Sequence, residues 1–134
     1  MIVLINLDSA EVRRRHMTHQ LAGLGVPFER VGIDLRNRER PHILRCANEV
    51  APGIVFDMAR LSGAEVGCWL SHMAAWRCLF ARTASAAATV IEDDVVLGDD
   101  FAEAVTALEA AAPFEVVMLG TSSTSPGSAS NFSA

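Results

Sequence analysis

At 134 residues the chain has the length of one domain, and its 51% apolar content supports a hydrophobic core rather than disorder. A net charge of -5 argues against nucleic acid as the main partner, because phosphate backbones select basic surfaces. No apolar run reaches the ~18 residues of a bilayer span and no basic-then-apolar leader is visible, so the expectation is a cytosolic protein.

The first element is a buried strand, Ile2–Ile5, rich in β-branched residues as suits a strand covered on both faces. Asp8 and Glu11 have the spacing of a capping box, and the helix that follows ends at Gly25, with Val12, Met17, Leu21 and Leu24 on its apolar side. Phe28–Ile33 reads as a second strand. Residues 34–61 are charged and broken by Pro41, Pro52 and Gly53, with a short helix from Pro41 to Ala47. Ser62 and Glu65 form another capping box, opening a helix whose Val66, Trp69, Leu70, Met73, Trp76 and Phe80 recur at three- and four-residue intervals. Ala88–Ile91 reads as a third strand. A further helix starts near Asp99 or Asp100, supported by Glu103, and stops before Pro113; Val116–Leu119 then reads as a fourth strand. Strand–helix alternation of this kind predicts an α/β domain with a mostly parallel sheet, spanning residues 1–120. The Ser-, Gly- and Thr-rich residues 121–134 read as a flexible polar tail, which hints at a fragment or a shortened homologue.

Cys46, Cys68 and Cys78 lack close metal-ligand spacing and read as reduced thiols, Cys68 and Cys78 as small core residues of a helix. Arginine is clustered at Arg13, Arg14, Arg15 and again at Arg36, Arg38, Arg40, so a local basic patch can still meet an anionic ligand.

Ligands of open α/β sheets bind beyond the carboxyl ends of the strands. The polar residues fall there: Asn6-Leu7-Asp8 after the first strand, Asp34 after the second, Glu92-Asp93-Asp94 after the third, and Gly120-Thr121 after the fourth. Adjacent carboxylates repel unless a cation or solvent compensates, and such oxygen ligands suit Mg²⁺ or Mn²⁺. If the strand geometry continues, Glu92 and Asp94 share a side as the metal pair, and Asp93 turns away toward a ribose hydroxyl or a backbone amide. An isolated Glu-Asp-Asp is more often a solvated turn, so the triplet alone is weak. Arg13, Arg14 and Arg15 fan over most of a helical turn, so one or two of them can face the site and meet a diphosphate. Ser71 and His72 interrupt the apolar helix about 100° apart, with no nucleophile-elbow pattern beside them.

Taken together, Ile5-Asn6-Leu7-Asp8 with Arg13-Arg14, then Met17, Leu21, Leu24-Gly25 and Phe28-Glu29-Arg30, resembles the start of glycosyltransferase family 25. That family includes the bacterial lipooligosaccharide galactosyltransferases. The resemblance continues through Gly63 to Cys68, Leu70-Ser71-His72, Ala75-Trp76, Val90 to Val95 and Phe101, and closes at Val116 to Gly120. It implies a GT-A-like, Rossmann-type fold of which this chain carries the N-terminal nucleotide-binding half. It also implies a UDP-sugar donor (often UDP-galactose), a saccharide or glycolipid acceptor, a divalent cation (Mn²⁺ or Mg²⁺) and inversion at the anomeric carbon. Peripheral contact with the inner face of the bacterial inner membrane would come through the acceptor. Asn6, Leu7, Arg13 and Asp93 would then lie at the donor nucleotide, Glu92 and Asp94 at the metal. Asp34, Gly67, Ser71 and His72 are candidate substrate-site residues with no assigned chemical step. Asp34 sits where the family has an Ala-Val-Asp-Gly turn, but Gly32-Ile33-Asp34-Leu35 lacks the glycine after the aspartate. No residue stands out as the general base.

Two other readings compete. One is an inactive nucleotide-sugar-binding fragment, suggested by the tail. The other is a receiver-like Mg²⁺-binding signalling domain, which the absence of any lysine and the position of the triplet after the third strand both oppose.

Overall fold

The computed structural model describes residues 1–82, 89–111 and 117. Its elements run β1 (Ile2–Ile5), α1 (Glu11–Gly23), β2 (Phe28–Val31), α2 (Arg40–Val50), α3 (Gly63–Arg82), β3 (Thr89–Glu92) and α4 (Phe101–Ala110). The expected fourth strand falls on residues of which only Val117 is described, and Gly120-Thr121 and the tail lie outside the described residues.

Among the described residues the strands form a parallel sheet in the order β2-β1-β3. β1 is central, and its side chains alternate between two cores. Ile2 and Leu4 pack with Met17 and Leu21 of α1, and with Ile91 and Phe101. Val3 and Ile5 face the other way, against Ala75 and Leu79 of α3. Covering both faces is why this strand is apolar at every position. A third cluster joins α2 to α3 through Ile43, Ala47, Val66 and Leu70, with Leu35 between them. The α/β class with a parallel sheet flanked by helices is therefore as the alternation of elements implied.

Several local expectations need correcting. The Asp8–Glu11 capping box does not form: Ala10 occupies the N-cap of α1 with no side-chain cap. Asp8 is drawn away by Arg30, which donates to it at 2.7 Å. Val12 is 72% exposed and so stands outside the apolar side of α1. The short helix beginning at Pro41 is longer than expected, with Pro41 near its N-terminus and its end at Val50. β2 stops at Val31 rather than Ile33. At Gly32 a Cβ would collide with the Asn6 carbonyl oxygen, so the chain there hugs the end of β1 as only glycine can.

The Ser62–Glu65 capping box does form, with Glu65 accepting from both the backbone N–H and the hydroxyl of Ser62. These bonds hold the Glu65 carboxyl below its ordinary range, the backbone bond most. The buried stripe of α3 is not the aromatic one. It runs through Val66, Gly67, Leu70, Ser71, Ala75 and Leu79, while Trp69, Trp76 and Phe80 are exposed. Small residues let the helix lie close to the sheet: a Cβ on Gly67 would sit 2.6 Å from the Ile33 carbonyl oxygen. Cys68, expected in the core, is exposed as well.

Candidate functional site

The carboxyl edge of the sheet opens into a cleft of about 160 Å³. Asn6, Leu7, Arg13, Asp34, Ser71, Glu92, Asp93 and Asp94 all line it, so sequence reasoning placed eight of its ten site residues around one cavity. Gly67 lies in the helix wall behind it. His72 reaches the same edge through its bond to Glu92. The cleft sits where the chain leaves β1, beside β2 on one side and β3 on the other, the place where a parallel sheet of this order leaves room for a ligand.

The acidic triplet divides as the strand alternation predicted, with Glu92 and Asp94 exposed and Asp93 buried. Asp93 is locked in place from two sides. Asn6 Nδ2 donates to its Oδ2 at 2.5 Å, and Arg13 pairs with its Oδ1 at 3.0 Å. Asn6 Nδ2 also donates to the Ala10 carbonyl at 3.2 Å, so its amide nitrogen must face these two oxygens and cannot be exchanged with Oδ1. Oδ1 itself is buried and has no partner. The Asn6 carbonyl in turn accepts from Arg30 at 3.0 Å. Behind the triplet, Gln20 of α1 grips the onward chain, donating to the Val95 carbonyl at 3.3 Å and accepting from Leu97 N–H at 2.8 Å.

On the opposite wall, Arg36 pairs with Asp34 and donates to Ser9 Oγ at 2.7 Å. The Arg36 guanidinium holds the Asp34 carboxyl well below the usual carboxylate range, and Asp34 raises Arg36 correspondingly. Arg36 lines the cleft although it was expected only as part of a basic cluster. Of Arg13, Arg14 and Arg15, only Arg13 lines the cleft. Ser71 is a tie between elements: its hydroxyl accepts from Ile33 N–H at 2.9 Å and donates to the Gly67 carbonyl at 2.7 Å.

Cys68 also lines the cleft. Its thiol is pushed up by burial and, secondarily, by the negative charge of Glu92. One turn further on, His72 Nε2 stands 3.3 Å from Glu92 Oε1.

A divalent cation of the hard, oxygen-binding kind fits part of this lining. Glu92 and Asp94 offer carboxylates on the open side, and among the described residues Asp94 has no hydrogen-bond or ion-pair partner. Asp93 is turned inward instead, with Asn6 on one of its oxygens and Arg13 on the other.

A parallel sheet with arginines and carboxylates around a cleft at its carboxyl edge defines the class as an α/β domain with a charged cleft. The particular family follows from comparison with known proteins. The chain belongs to glycosyltransferase family 25, described as LPS biosynthesis proteins, whose family model matches residues 1–125. It is similar to the lacto-N-neotetraose biosynthesis glycosyltransferase LgtB of Neisseria meningitidis serogroup A / serotype 4A, 34% identical over 96 residues. That match covers 72% of this chain and spans 33% of the relative's length. Family membership removes the receiver-like alternative. Among the described residues no helix is long and apolar enough to cross a membrane.

Proposed function

We propose that the cleft binds the UDP-sugar donor of a glycosyl transfer, with galactose as the sugar and a glycan or lipooligosaccharide as the acceptor. One observation carries this reading: arginines and carboxylates from separate elements converge on one cavity at the sheet edge, where Asp94 stands without a partner among the described residues. Glu92 and Asp94 would hold Mn²⁺ or Mg²⁺, whose chemistry is to neutralise charge that builds on the departing diphosphate. Arg13 and Arg36 present their remaining N–H groups to the same anion, and Leu7 with Asn6 forms the floor beneath the nucleotide. Asp93 does not coordinate. It fixes Arg13 and Asn6, and with them the shape of the nucleotide subsite. Ser71 and Gly67 position the helix wall, and Asp34 orients Arg36. Inverting transfer needs a carboxylate to take the proton of the attacking acceptor hydroxyl. No residue is assigned that role.

The similarity to a Neisseria glycosyltransferase of lacto-N-neotetraose biosynthesis supports a saccharide acceptor. Residues 1–120 form the donor-binding domain and 121–134 its polar tail. The protein would act in the cytoplasm, at the inner face of the bacterial inner membrane where the acceptor is a glycolipid. Since the chain spans only a third of that relative, donor binding and turnover are separate claims. Calorimetry with UDP-galactose, with and without Mn²⁺, is expected to show metal-dependent binding that Asp94→Asn weakens; metal-independent or absent binding refutes the site. UDP release in the presence of a galactose-accepting saccharide tests turnover, and binding without release identifies a donor-binding fragment.

A further inference from the structure

The donor reading uses Glu92 as one of two carboxylates, yet Glu92 also has potential ligand groups across from it on α3. Cys68 and His72 lie on one face of α3, one turn apart, and Glu92 ends β3 opposite them. The thiol, the imidazole and the carboxylate each offer one ligand atom, and all three atoms lie within 4.8 Å of one another. We propose that Cys68, His72 and Glu92 form a second, mixed-donor metal site that takes a borderline-soft divalent transition ion of the Zn²⁺ or Co²⁺ class.

The donor chemistry separates this site from the hard pair Glu92 and Asp94. Sulfur and imidazole ligands select zinc-type ions, whereas Mg²⁺ and Mn²⁺ prefer carboxylate, carbonyl and water. The geometry is close to what such an ion needs. Nitrogen and oxygen ligands at ~2.0–2.1 Å from a tetrahedral ion lie about 3.3 Å apart. His72 Nε2 and Glu92 Oε1 already stand at 3.3 Å. A sulfur at ~2.3 Å would stand about 3.5 Å from either, and since all three atoms already lie within 4.8 Å of one another, any closure asked of Cys68 is small. Its exposed side chain can supply it by a small change in χ1. The backbone that carries the ligands is rigid: Glu92 is paired in register with Ile5 of the central strand, and Cys68 and His72 sit inside a long helix. Three protein ligands would leave the fourth position open to water or substrate, the arrangement of reactive rather than purely structural zinc.

This inference rests on the donor reading only where it shares Glu92. An ion held by Cys68 and His72 takes Glu92 out of the Glu92–Asp94 pair, so the two metals exclude one another. Co²⁺ alone, added to the reduced full chain without nucleotide, tests the mixed site directly. The expected result is a thiolate-to-cobalt charge-transfer band in the near ultraviolet, saturating at one ion per chain and displaced by Zn²⁺. Cys68→Ser removes the band, and His72→Gln weakens Zn²⁺ binding by about tenfold or more, while Asp94→Asn leaves the band intact. Circular dichroism of each variant checks that it remains folded. No band, or a band that survives Cys68→Ser and so comes from Cys46 or Cys78, overturns the proposal. Loss of UDP-galactose binding with an intact cobalt band would refute the donor reading alone.

Discussion

Replacing Asp93 with alanine removes the acceptor of a bond buried between β1 and the segment after β3. Asn6 is 1% exposed, so water cannot replace the lost carboxylate. An orphaned buried donor costs about 1–3 kcal/mol. The Arg13 ion pair adds little, because the Arg13 side chain is 50% exposed; about 0.2–1 kcal/mol is the usual worth of such a pair. Asp93→Ala should therefore destabilise the fold by about 1–4 kcal/mol. Asn6→Ala leaves Asp93 its Arg13 partner and also removes the unpaired Oδ1, so it should cost less. The two changes meet at one bond, so the double variant should be more stable than the sum of the single losses implies, by about 1–2 kcal/mol. Urea unfolding followed by circular dichroism measures all four proteins, with an unchanged slope as the control that only stability moved. If the two single losses add to within ~0.5 kcal/mol, the Asn6–Asp93 bond does not couple the two residues energetically.

Two further outcomes follow from the packing and the charges. Gly67→Ala should destabilise by about 1–3 kcal/mol, since its Cβ meets the Ile33 carbonyl oxygen at 2.6 Å. Gly23→Ala, where a Cβ meets nothing within 4 Å, should instead stabilise by about 0.4–1 kcal/mol, and matched urea titrations would expose any reversal of that order. Asp34 titrates below its ordinary value because of Arg36, so its contribution to stability is present above the unfolded pKa, about 3.9, and is lost as pH falls through the lowered folded value. Arg36→Ala should thus be less stable than the parent by a small, constant amount at neutral pH, a difference that vanishes in strong acid; a gap that widens on acidification would contradict the pairing.

β1 could be read from sequence because both of its faces are buried, which leaves an uninterrupted apolar run with no alternation to misjudge. The Glu92/Asp94 division was legible for a related reason, since a strand's two-residue period continues one step past its last hydrogen bond. Errors arose where a distant partner overrode a local signal. Asp8 has the spacing of a cap, but Arg30, far along the chain, claims it. On α3, hydrophobicity pointed to the tryptophans, whereas contact with the sheet selects by size and turns Gly67, Ser71 and Ala75 inward. That rotation also brings Cys68 out to the cleft. Its i, i+4 relation to His72 was visible in the sequence, but nothing there said that Glu92 stood across from both. Gln20's hold on the segment after the triplet was equally invisible, being a contact between a helix side chain and a remote backbone.

The bond from Asn6 to Asp93 joins residues 87 positions apart. Closing so large a loop is entropically costly and slow, and nothing local rewards it until β3 has docked beside β1. The pairing of β1 with β2 spans far less chain and can precede it. The cleft is therefore among the last parts of the molecule to exist during folding. A donor nucleotide would recognise only chains that have completed assembly, and partly folded ones would be blind to it. Ligand binding should then slow unfolding without accelerating the early steps of folding, making the cleft a reporter of finished topology as much as a place for chemistry.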